Sequence, residues 1–433
     1  MSIDIKQVAV VIVVMSGILA GGYAIVNKND SKSEMTPNSQ NKPELADESS
    51  PASSQAGKLA PGATLPSDHP PLIPDSGQTT GQVAANTNEL AEAKAKFTHF
   101  RVGNKNIKSI YADDDGIIWI GTSGGVIRYE TEKDDYRLFN VRNGLLANGV
   151  FYVGKINDKI AIGTYGGGLA LYDEQLDRFD IFNVPEGLAD AFVYDTLQME
   201  NGDIWIATWS GANRIIGGDL TNPKAWETYT VENTNSGLPN DWVYGLAKGK
   251  NGELWLATEG GLSRHKDGKW QSWDHEAGLG ADYDLVKDDN EFTTDPAEVS
   301  SHHARQKVEM NLQNVNTAYN PNYIIALDVT PDGTVWMGTW GGGLARFDGE
   351  NWRNYTVKDG MPSNHVFMLH VDKQGKLWIG TSKGVAYFKE DGKGFGLMNA
   401  KDGLFNDTVF SMESLDDGTF WIGSFGGISR IKP

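Results

Sequence analysis

Apolar residues are distributed unevenly along the chain and divide it into three parts. An uncharged run, VAVVIVVMSGILAGGYAIV, covers Val8–Val26. Residues 27–95 follow and are rich in Ser, Pro, Asn, Gln and Ala. From residue 96 to residue 433, short apolar segments recur between turns that carry Gly, Asp or Asn. This third pattern is typical of a protein made of many short β-strands.

The short segments belong to one repeated unit, as in GTVWMGTWGGGLARFDG and GKLWIGTSKGVAYFK. Seven copies align on one position, which is occupied by Trp119, Ala161, Trp205, Trp255, Trp336, Trp378 and Trp421. The successive spacings are 42, 44, 50, 81, 42 and 43 residues. A period near 40 to 50 residues with four strands per unit predicts an all-β, seven-bladed β-propeller over residues 96–433.

Each unit parses into four strands, A to D. In the sixth unit VFMLHVD is strand A, LWIGT is strand B and VAYFK is strand C. The seventh unit stops after its strand C, and FTHFRV, Phe97–Val102, has the strand D pattern. We therefore predict that this N-terminal strand completes the last unit and closes the ring, which removes an exposed sheet edge.

The Gly-rich stretch after Trp340 lies between strands B and C rather than between a strand and a helix. This position argues against a phosphate-binding loop and favours a tight turn that needs positive φ. The repeated tryptophans are predicted to pack between sheets. Arginines that recur three residues after the turn are predicted to stack or pair beside them, namely Arg128, Arg214, Arg264, Arg346 and Arg430.

Positions that vary between the units are the candidates for a binding site. The B-to-C turns and the D-to-A connections should lie on one face of the propeller, the top face. The variable turn position carries Tyr165, Trp209, Glu259, Trp340 and Phe425, and the residues before strand A include Asp241, Trp242, Tyr323, Asn364 and His365. Aromatic rings beside amides and carboxylates suit an oligosaccharide, a peptide or a protein ligand. The alternative is that these rings plug the channel.

The spacing of 81 residues locates one insertion, residues 282–322, between the fourth and fifth units. Asp295, Pro296 and Glu298 form a capping pattern, and Val308, Leu312 and Val315 form an apolar stripe, so a helix is predicted. The insertion is expected on the top face, as a lid, a docking arm or a surface ornament. His302 and His303 would point to different sides of that helix, so no metal site is predicted there. No cofactor is predicted.

Composition narrows the function classes. Lys and Arg total 38 against 57 Asp and Glu, a formal charge of -19, and no basic block is present, which argues against nucleic acid as a partner. Cys is absent, so the chain has no disulfide and no thiolate metal site.

As a helix, Val8–Val26 would span roughly 28 Å at about 1.5 Å per residue. A bilayer core is about 30 Å thick, so residues 1–26 are predicted to be a membrane anchor or uncleaved signal. A cleaved signal peptide is the alternative, because the small residues Ala20, Gly22 and Ala24 are compatible with a cleavage site.

Residues 27–95 lack the apolar content to fold and are predicted to be a disordered linker. The sequence thus predicts a single-pass protein of the bacterial inner membrane with its propeller in the periplasm.

The stretch KDGMPSNHVFMLHVDKQGKLWIGTSKGVAYFKEDG, residues 358–392, resembles the two-component regulator propeller repeat. In that family the propeller is a periplasmic sensor domain of hybrid histidine kinases, often for oligosaccharides. The resemblance therefore implies a ligand-binding sensor propeller. The chain ends at the propeller without a kinase, so signalling by this chain alone is not expected.

Three functional hypotheses follow. The first is a membrane-tethered extracytoplasmic binding or scaffold module that uses the top face and is not an enzyme. The second is a propeller lyase for a sugar or lactone, similar to the streptogramin lyases, with Glu259, His365 and Asp241 as candidate acid and base groups. The third is a structural subunit of a larger membrane complex that contacts partners through residues 282–322.

Overall fold

The computed structural model describes residues 97–292, 307–308, 313–315, 318–390 and 392–432. The proposed anchor, residues 1–26, and the proposed linker, residues 27–95, lie outside the described residues, as does most of the helix predicted from Asp295 to Val315. None of the helices in the described part of the chain has the length and apolar character needed to span a bilayer.

Twenty-six antiparallel strands make up six sheets in the described part of the chain. One sheet has six strands in the order β25-β26-β1-β2-β3-β4, with bounds β1 Phe97–Ala112, β2 Ile117–Thr122, β3 Gly125–Glu130, β4 Asp135–Phe139, β25 Val409–Ser414 and β26 Phe420–Ile431. The other five sheets have four strands each.

These five sheets follow one another along the chain. The first two are β5 Val150–Ile156, β6 Lys159–Thr164, β7 Leu169–Asp173 and β8 Arg178–Phe182, then β9 Val193–Gln198, β10 Ile204–Thr208, β11 Gly211–Ile215 and β12 Trp226–Tyr229. The next two are β13 Val243–Lys248, β14 Leu254–Thr258, β15 Gly261–Lys266 and β16 Lys269–Trp273, then β17 Asn320–Val329, β18 Val335–Trp340, β19 Leu344–Phe347 and β20 Trp352–Tyr355. The last is β21 Val366–Val371, β22 Leu377–Thr381, β23 Gly384–Phe388 and β24 Phe395–Met398.

Burial within a sheet depends on the strand. The second strand is buried throughout, as in β22, because neighbouring sheets cover both of its faces. The fourth strand is partly exposed, as in β20, because it forms the outer edge. The apolar run LWIGT and the mixed run WRNY reflect this difference. The repeating unit is thus one radial sheet of a propeller, and the predicted all-β propeller fold is confirmed.

The two ends of the described chain meet in the six-stranded sheet. The first part of β1 pairs with the last part of β26, so that Phe97 lies opposite Ile431 and Phe100 opposite Ile428. The second part of β1 pairs with β2. This is the pairing predicted for Phe97–Val102, and it joins the N-terminal strand to the C-terminal one.

The first strands of successive units form a circle. Strand β1 packs against β5, β5 against β9, and the series continues through β13, β17, β21 and β25 back to β1. These inner strands surround a central channel. All connections from a fourth strand to the next first strand leave on one side, together with the turns between second and third strands, and this side is the top face.

The Gly-rich turns have a structural explanation. At Gly343 φ is +82°, and a Cβ there would clash with the carbonyl oxygen of Tyr355 in β20. The Thr339 hydroxyl donates to the Gly343 carbonyl at 2.8 Å. The same hydroxyl bond closes the turn at Thr122, Thr164, Thr208, Thr258 and Thr381. The Gly-rich motif therefore builds a turn, as predicted, because only Gly tolerates both the positive φ and the close approach of the carbonyl oxygen.

The repeated tryptophans belong to the scaffold. Trp119 has no exposed surface and Trp421 is 1% exposed. In four of the repeated units an arginine lies over the tryptophan ring, with 5.5 to 5.9 Å between its Cζ and the ring centroid, in the pairs Arg128–Trp119, Arg214–Trp205, Arg264–Trp255 and Arg430–Trp421. Arg346 instead pairs with Asp348 at 3.3 Å. The predicted stacking thus holds for four of the five arginines.

The described parts of the insertion pack onto the top face. A one-turn helix, α1 Tyr283–Val286, opens it, and Val286 packs with Val315 and Tyr319 in a small cluster. The Tyr319 hydroxyl donates to the Ala281 carbonyl at 2.8 Å, which ties the end of the insertion to its beginning.

Candidate ligand-binding face

Residues from two kinds of connection alternate around the mouth of the channel. The backbone N–H of Trp209, in a B-to-C turn, donates to the carbonyl of Phe192, which precedes β9, at 3.3 Å. The N–H of Glu259 donates to the carbonyl of Trp242 at 3.2 Å. Tyr165 forms an isolated antiparallel bridge with Phe192. Because these bonds join each turn to the residue before a first strand, the varied positions converge on one rim.

Four aromatic rings form what we call the open half of the rim: Tyr165, Phe192, Trp209 and Trp242. Consecutive ring centroids are 4.5, 4.9 and 4.4 Å apart, and each pair meets edge to face. All four side chains keep part of their surface exposed. Edge-to-face packing stabilises the rings against one another and leaves their outer surfaces open to solvent.

Three further rim residues form what we call the covered half: Tyr323, Trp340 and His365. Trp340 is 3% exposed and His365 is fully buried. Phe292, from the insertion, lies parallel to the Trp340 ring at 6.1 Å and edge-on to His365 at 4.5 Å. The insertion therefore removes this side of the rim from solvent.

Polar contacts hold the insertion in place. Glu291 forms an ion pair with Lys383 at 2.9 Å and accepts from the Ser382 hydroxyl at 3.0 Å. His365 Nε2 lies 2.9 Å from the Ala318 carbonyl, so this nitrogen carries the proton and donates. Burial lowers the pKa of His365 to about 4. The imidazole is therefore neutral at neutral pH, which fits a packing role.

Glu259 lies beneath the rim rather than on it. Its side chain is fully buried, and the Tyr244 hydroxyl donates to its Oε2 at 3.2 Å. Burial and the nearby Glu259 charge raise the pKa values of Tyr244 and Tyr323 well above their ordinary value. The carboxylate thus belongs to a buried tyrosine network between β13 and β17.

The amide and carboxylate residues before the first strands have a structural role. Asp241 accepts from the backbone N–H of Val231 at 2.7 Å, and Asn364 accepts from that of Val357 at 3.0 Å. The same bond within the D-to-A connection is made by Asn148, Asn322 and Asp407. Each side chain therefore folds its own connection back onto the sheet. Phe425 is half-buried against the cluster that contains Trp340 and Phe410.

A ring of channel residues was missed by the sequence analysis. Each inner strand has a β-bulge at the same place, shown by a register shift that leaves one residue without a ladder partner. The seven unpartnered positions are Lys108, Phe151, Tyr194, Tyr244, Ile325, Phe367 and Phe410, and all line the channel. A bulge re-aims a side chain, here toward the channel. The repeated pair of a β-branched residue and an aromatic one, as in VF and VY, was the available signal.

Below this ring, side chains join neighbouring inner strands. Asp195 accepts from the N–H of Leu246 at 2.8 Å, and Asp328 accepts from that of Val371 at 2.7 Å. His370 lies 2.8 Å from the Ser414 hydroxyl. Burial raises the pKa of Asp195 to about 7 and that of Asp328 to about 6. The two carboxyl groups thus accept hydrogen bonds from backbone N–H groups of the neighbouring inner strand.

No group of three or more His, Asp or Glu side chains within the described residues is arranged to hold a metal ion. The geometry instead offers aromatic surface at the rim and a channel of about 330 Å³ beneath it. Small-molecule sites in proteins are commonly concave and lined mostly by apolar and aromatic side chains.

Comparison with known families identifies the repeat. The model of the two component regulator propeller matches residues 102–124, 237–260 and 360–383. The chain carries two-component regulator propeller repeats. Each matched segment of this propeller runs through a first strand and a second strand to the following turn, and together they include Asp241, Trp242, Glu259, Asn364 and His365.

Solved structures share the propeller fold. The extracellular domain described as that of a hybrid two component system, BT3049 from B. thetaiotaomicron, is 22% identical with a TM-score of 0.59, over 77% of this chain and 39% of that one. Virginiamycin B lyase from Staphylococcus aureus is 11% identical with a TM-score of 0.54, over 78% and 99%. YCF48 bound to D1 peptide is 13% identical with a TM-score of 0.52, over 78% and 97%.

These similarities establish the fold alone. The chain spans about two fifths of the length of the sensor domains it matches. No curated protein matches it.

Proposed function

We propose that this chain is a ligand-binding propeller of seven blades, tethered to the bacterial inner membrane by residues 1–26 and placed in the periplasm. The count of seven takes the six-stranded sheet, which bends where β1 passes from β26 to β2, as two blades. The role is that of a sensor-like or scaffold module, in keeping with the repeats it carries.

The observation that carries this proposal is the open half of the rim. Its four rings come from three consecutive units and form one continuous aromatic surface on a rigid scaffold. A grouped, partly exposed aromatic surface is the usual mark of a recognition site. Rigid rings also bind at low entropic cost, because they have few rotatable bonds.

The ligand class we favour is an oligosaccharide or an extended peptide. Both present apolar faces for stacking together with groups that need hydrogen bonds. Polar groups lie beside the rings, since Ser210 follows Trp209 and donates to Asp190 at 2.8 Å. A ligand along the open half would thus meet rings and hydrogen-bonding groups together.

A non-enzymatic function is supported by the candidate acid and base groups. His365 and Glu259 are fully buried, and Asp241 folds its own connection. A general acid or base must reach the proton it transfers. None of the three is placed to meet a ligand on the open half, so a lyase is the weaker hypothesis.

A structural role through the insertion is the second candidate. Leu285 is 50% exposed and Val308 is 57% exposed, and both belong to the insertion. Exposed apolar side chains in the insertion favour contact with a partner protein. This role is compatible with ligand binding on the open half.

The proposal is tested by screening the purified propeller against arrays of oligosaccharides and of twelve-residue peptides. Trp209→Ala and Trp242→Ala should each weaken the binding of any captured ligand by about tenfold or more, since a stacked aromatic residue is a typical hot spot. Tyr136→Ala is the matched control, because Tyr136 is an exposed aromatic residue on β4, away from the rim. Binding that survives both tryptophan changes would contradict the proposal.

A further inference from the structure

The ring of bulged channel residues contains one charge. Five of its seven members are aromatic, Ile325 is aliphatic, and Lys108 is the exception. All seven occupy the same position in their strands, so Lys108 replaces an apolar residue of the repeat. Because the bulge aims this position at the channel, the ammonium group is directed inward rather than toward bulk solvent.

The surroundings of Lys108 are mostly apolar. Its Nζ lies 4.7 Å from the centroid of the Phe410 ring, as expected for a cation over an aromatic face. Protein atoms enclose the side chain, but part of its surface faces the channel. Burial lowers the pKa of Lys108 to about 8, so the group remains mostly protonated at pH 7.

The other charged residue that lines the channel is an acid, Asp195. Asp195 accepts from two backbone N–H groups, those of Thr196 and Leu246. Lys108 is thus the cation that a ligand entering the channel would meet. An ammonium carries three N–H donors and no acceptor, so its complement is an anionic oxygen. A second cation would be repelled there, although aromatic rings alone would attract one.

We propose that the channel binds a small carboxylate ligand. Lys108 donates to the carboxylate, and the aromatic side chains that surround Lys108 in the channel pack against the apolar part of the ligand. The cavity volume of about 330 Å³ is at the lower end of the range of about 300 to 1,000 Å³ found for small-molecule pockets. This site differs from the open half of the rim and does not depend on it. No group is transferred and no bond is formed.

The test compares three probes of similar shape by calorimetry and ligand-observed NMR at pH 7: benzoate, benzamide and benzylammonium. Benzoate should bind at least about tenfold more tightly than benzamide, because a hydrogen bond to a charged group is worth more than a neutral one. Benzylammonium should bind most weakly. Equal binding of the three probes, a preference for benzylammonium, or no binding of benzoate would overturn the proposal.

Variants locate the site. Lys108→Met should reduce benzoate binding to the level of benzamide, and Lys108→Arg should retain the preference. Lys376→Met is the matched control, since the Lys376 ammonium lies 4.2 Å from the Trp378 ring centroid but outside the channel lining. Thermal unfolding should show Lys108→Met folded, because the change removes an enclosed charge. Unchanged benzoate binding in Lys108→Met would overturn the proposal.

A last variant separates this site from the rim. In Trp209→Ala combined with Trp242→Ala, benzoate should bind as in the unchanged protein. Loss of benzoate binding in that variant would place the carboxylate on the open half and overturn the channel site. Failure of benzoate to bind would leave the proposal for the rim unaffected, because that proposal depends on the tryptophans alone.

Discussion

The open and covered halves of the rim use the same repeat positions but differ in exposure. Trp209 and Trp340 both come directly after the Thr whose hydroxyl closes the turn between a second and a third strand. Trp209 keeps exposed surface and packs edge-on to Trp242, whereas Trp340 is buried beneath Phe292. The difference comes from the insertion, which covers one side only. Position in a repeat thus determines where a side chain lies, and a neighbouring insertion determines whether solvent reaches it.

The largest expected effect is on stability. Trp340→Ala should lower the free energy of unfolding by about 4 kcal/mol, because it leaves a cavity in a buried cluster. Trp209→Ala should cost only about 1 to 2 kcal/mol, since its ring is already partly in water. Urea unfolding of both variants measures the difference. Equal losses would show that the two halves are equally buried.

The second test removes Phe292, the insertion side chain that covers Trp340 and His365. Phe292→Ala should cost about 3 kcal/mol, at the lower end of the range for a buried Phe. It should also raise the pKa of His365 from about 4 toward its ordinary value, since burial is the main cause of the shift. NMR titration of the imidazole checks this. Leu285→Ala, in the same insertion but 50% exposed, is the control and should leave that pKa unchanged.

The pH dependence of stability distinguishes the halves further. The pKa of His365 is lowered on folding, so its contribution to stability is present above about pH 6.5 and is lost as pH falls toward 4. A shift of this size corresponds to about 3 kcal/mol. His365→Gln should therefore lose less stability than the unchanged protein between pH 6.5 and pH 4.

The comparison must be made as a difference between proteins. The raised pKa values of Asp195 and Glu413, both about 7, contribute with the opposite sign, because protonation of these buried carboxyls stabilises the fold as pH falls. These terms cancel when the variant is subtracted from the parent. Phe192→Leu, in the open half, should keep the parental pH dependence. If His365→Gln also keeps the parental pH dependence, the imidazole of His365 is not buried as described.

The smallest expected effect concerns the ion pair that holds the insertion. Lys383→Met should cost only about 0.5 kcal/mol, because the Lys383 side chain is half-exposed. Hydrogen exchange should nevertheless increase at the amides of residues 281–292. Arg346→Met removes a comparable pair that does not touch the insertion and should leave this segment unchanged. Unaltered hydrogen exchange in Lys383→Met would show that the packing of Phe292, and not the ion pair, holds the insertion on the rim.

The fold was predictable because its signals are repeated and local. Gly343 is required by a positive φ and by the close approach of Tyr355, and the same constraint recurs in six of the seven units, so the turn is visible in the sequence. The pairing of Phe97 with Ile431 followed from a missing strand at one end and an extra one at the other.

The exposure of the site residues was not predictable in the same way. The burial of Trp340 and His365 depends on Phe292, which lies in the one segment without a counterpart in the repeat. The role of Asp241 depends on a hydrogen bond within its own connection. Lys108 was missed because a bulge shifts the alternation of inward and outward positions, so a period of two assigns it to the wrong side.

The division of the rim is tested most directly by hydroxyl-radical footprinting of the full chain with residue-level mass spectrometry. We expect rapid oxidation of Trp209 and Trp242 and slow oxidation of Trp340, and we expect Phe292→Ala to accelerate oxidation of Trp340 alone among the three. Oxidation of Trp340 as fast as that of Trp209 in the unchanged protein would contradict the account.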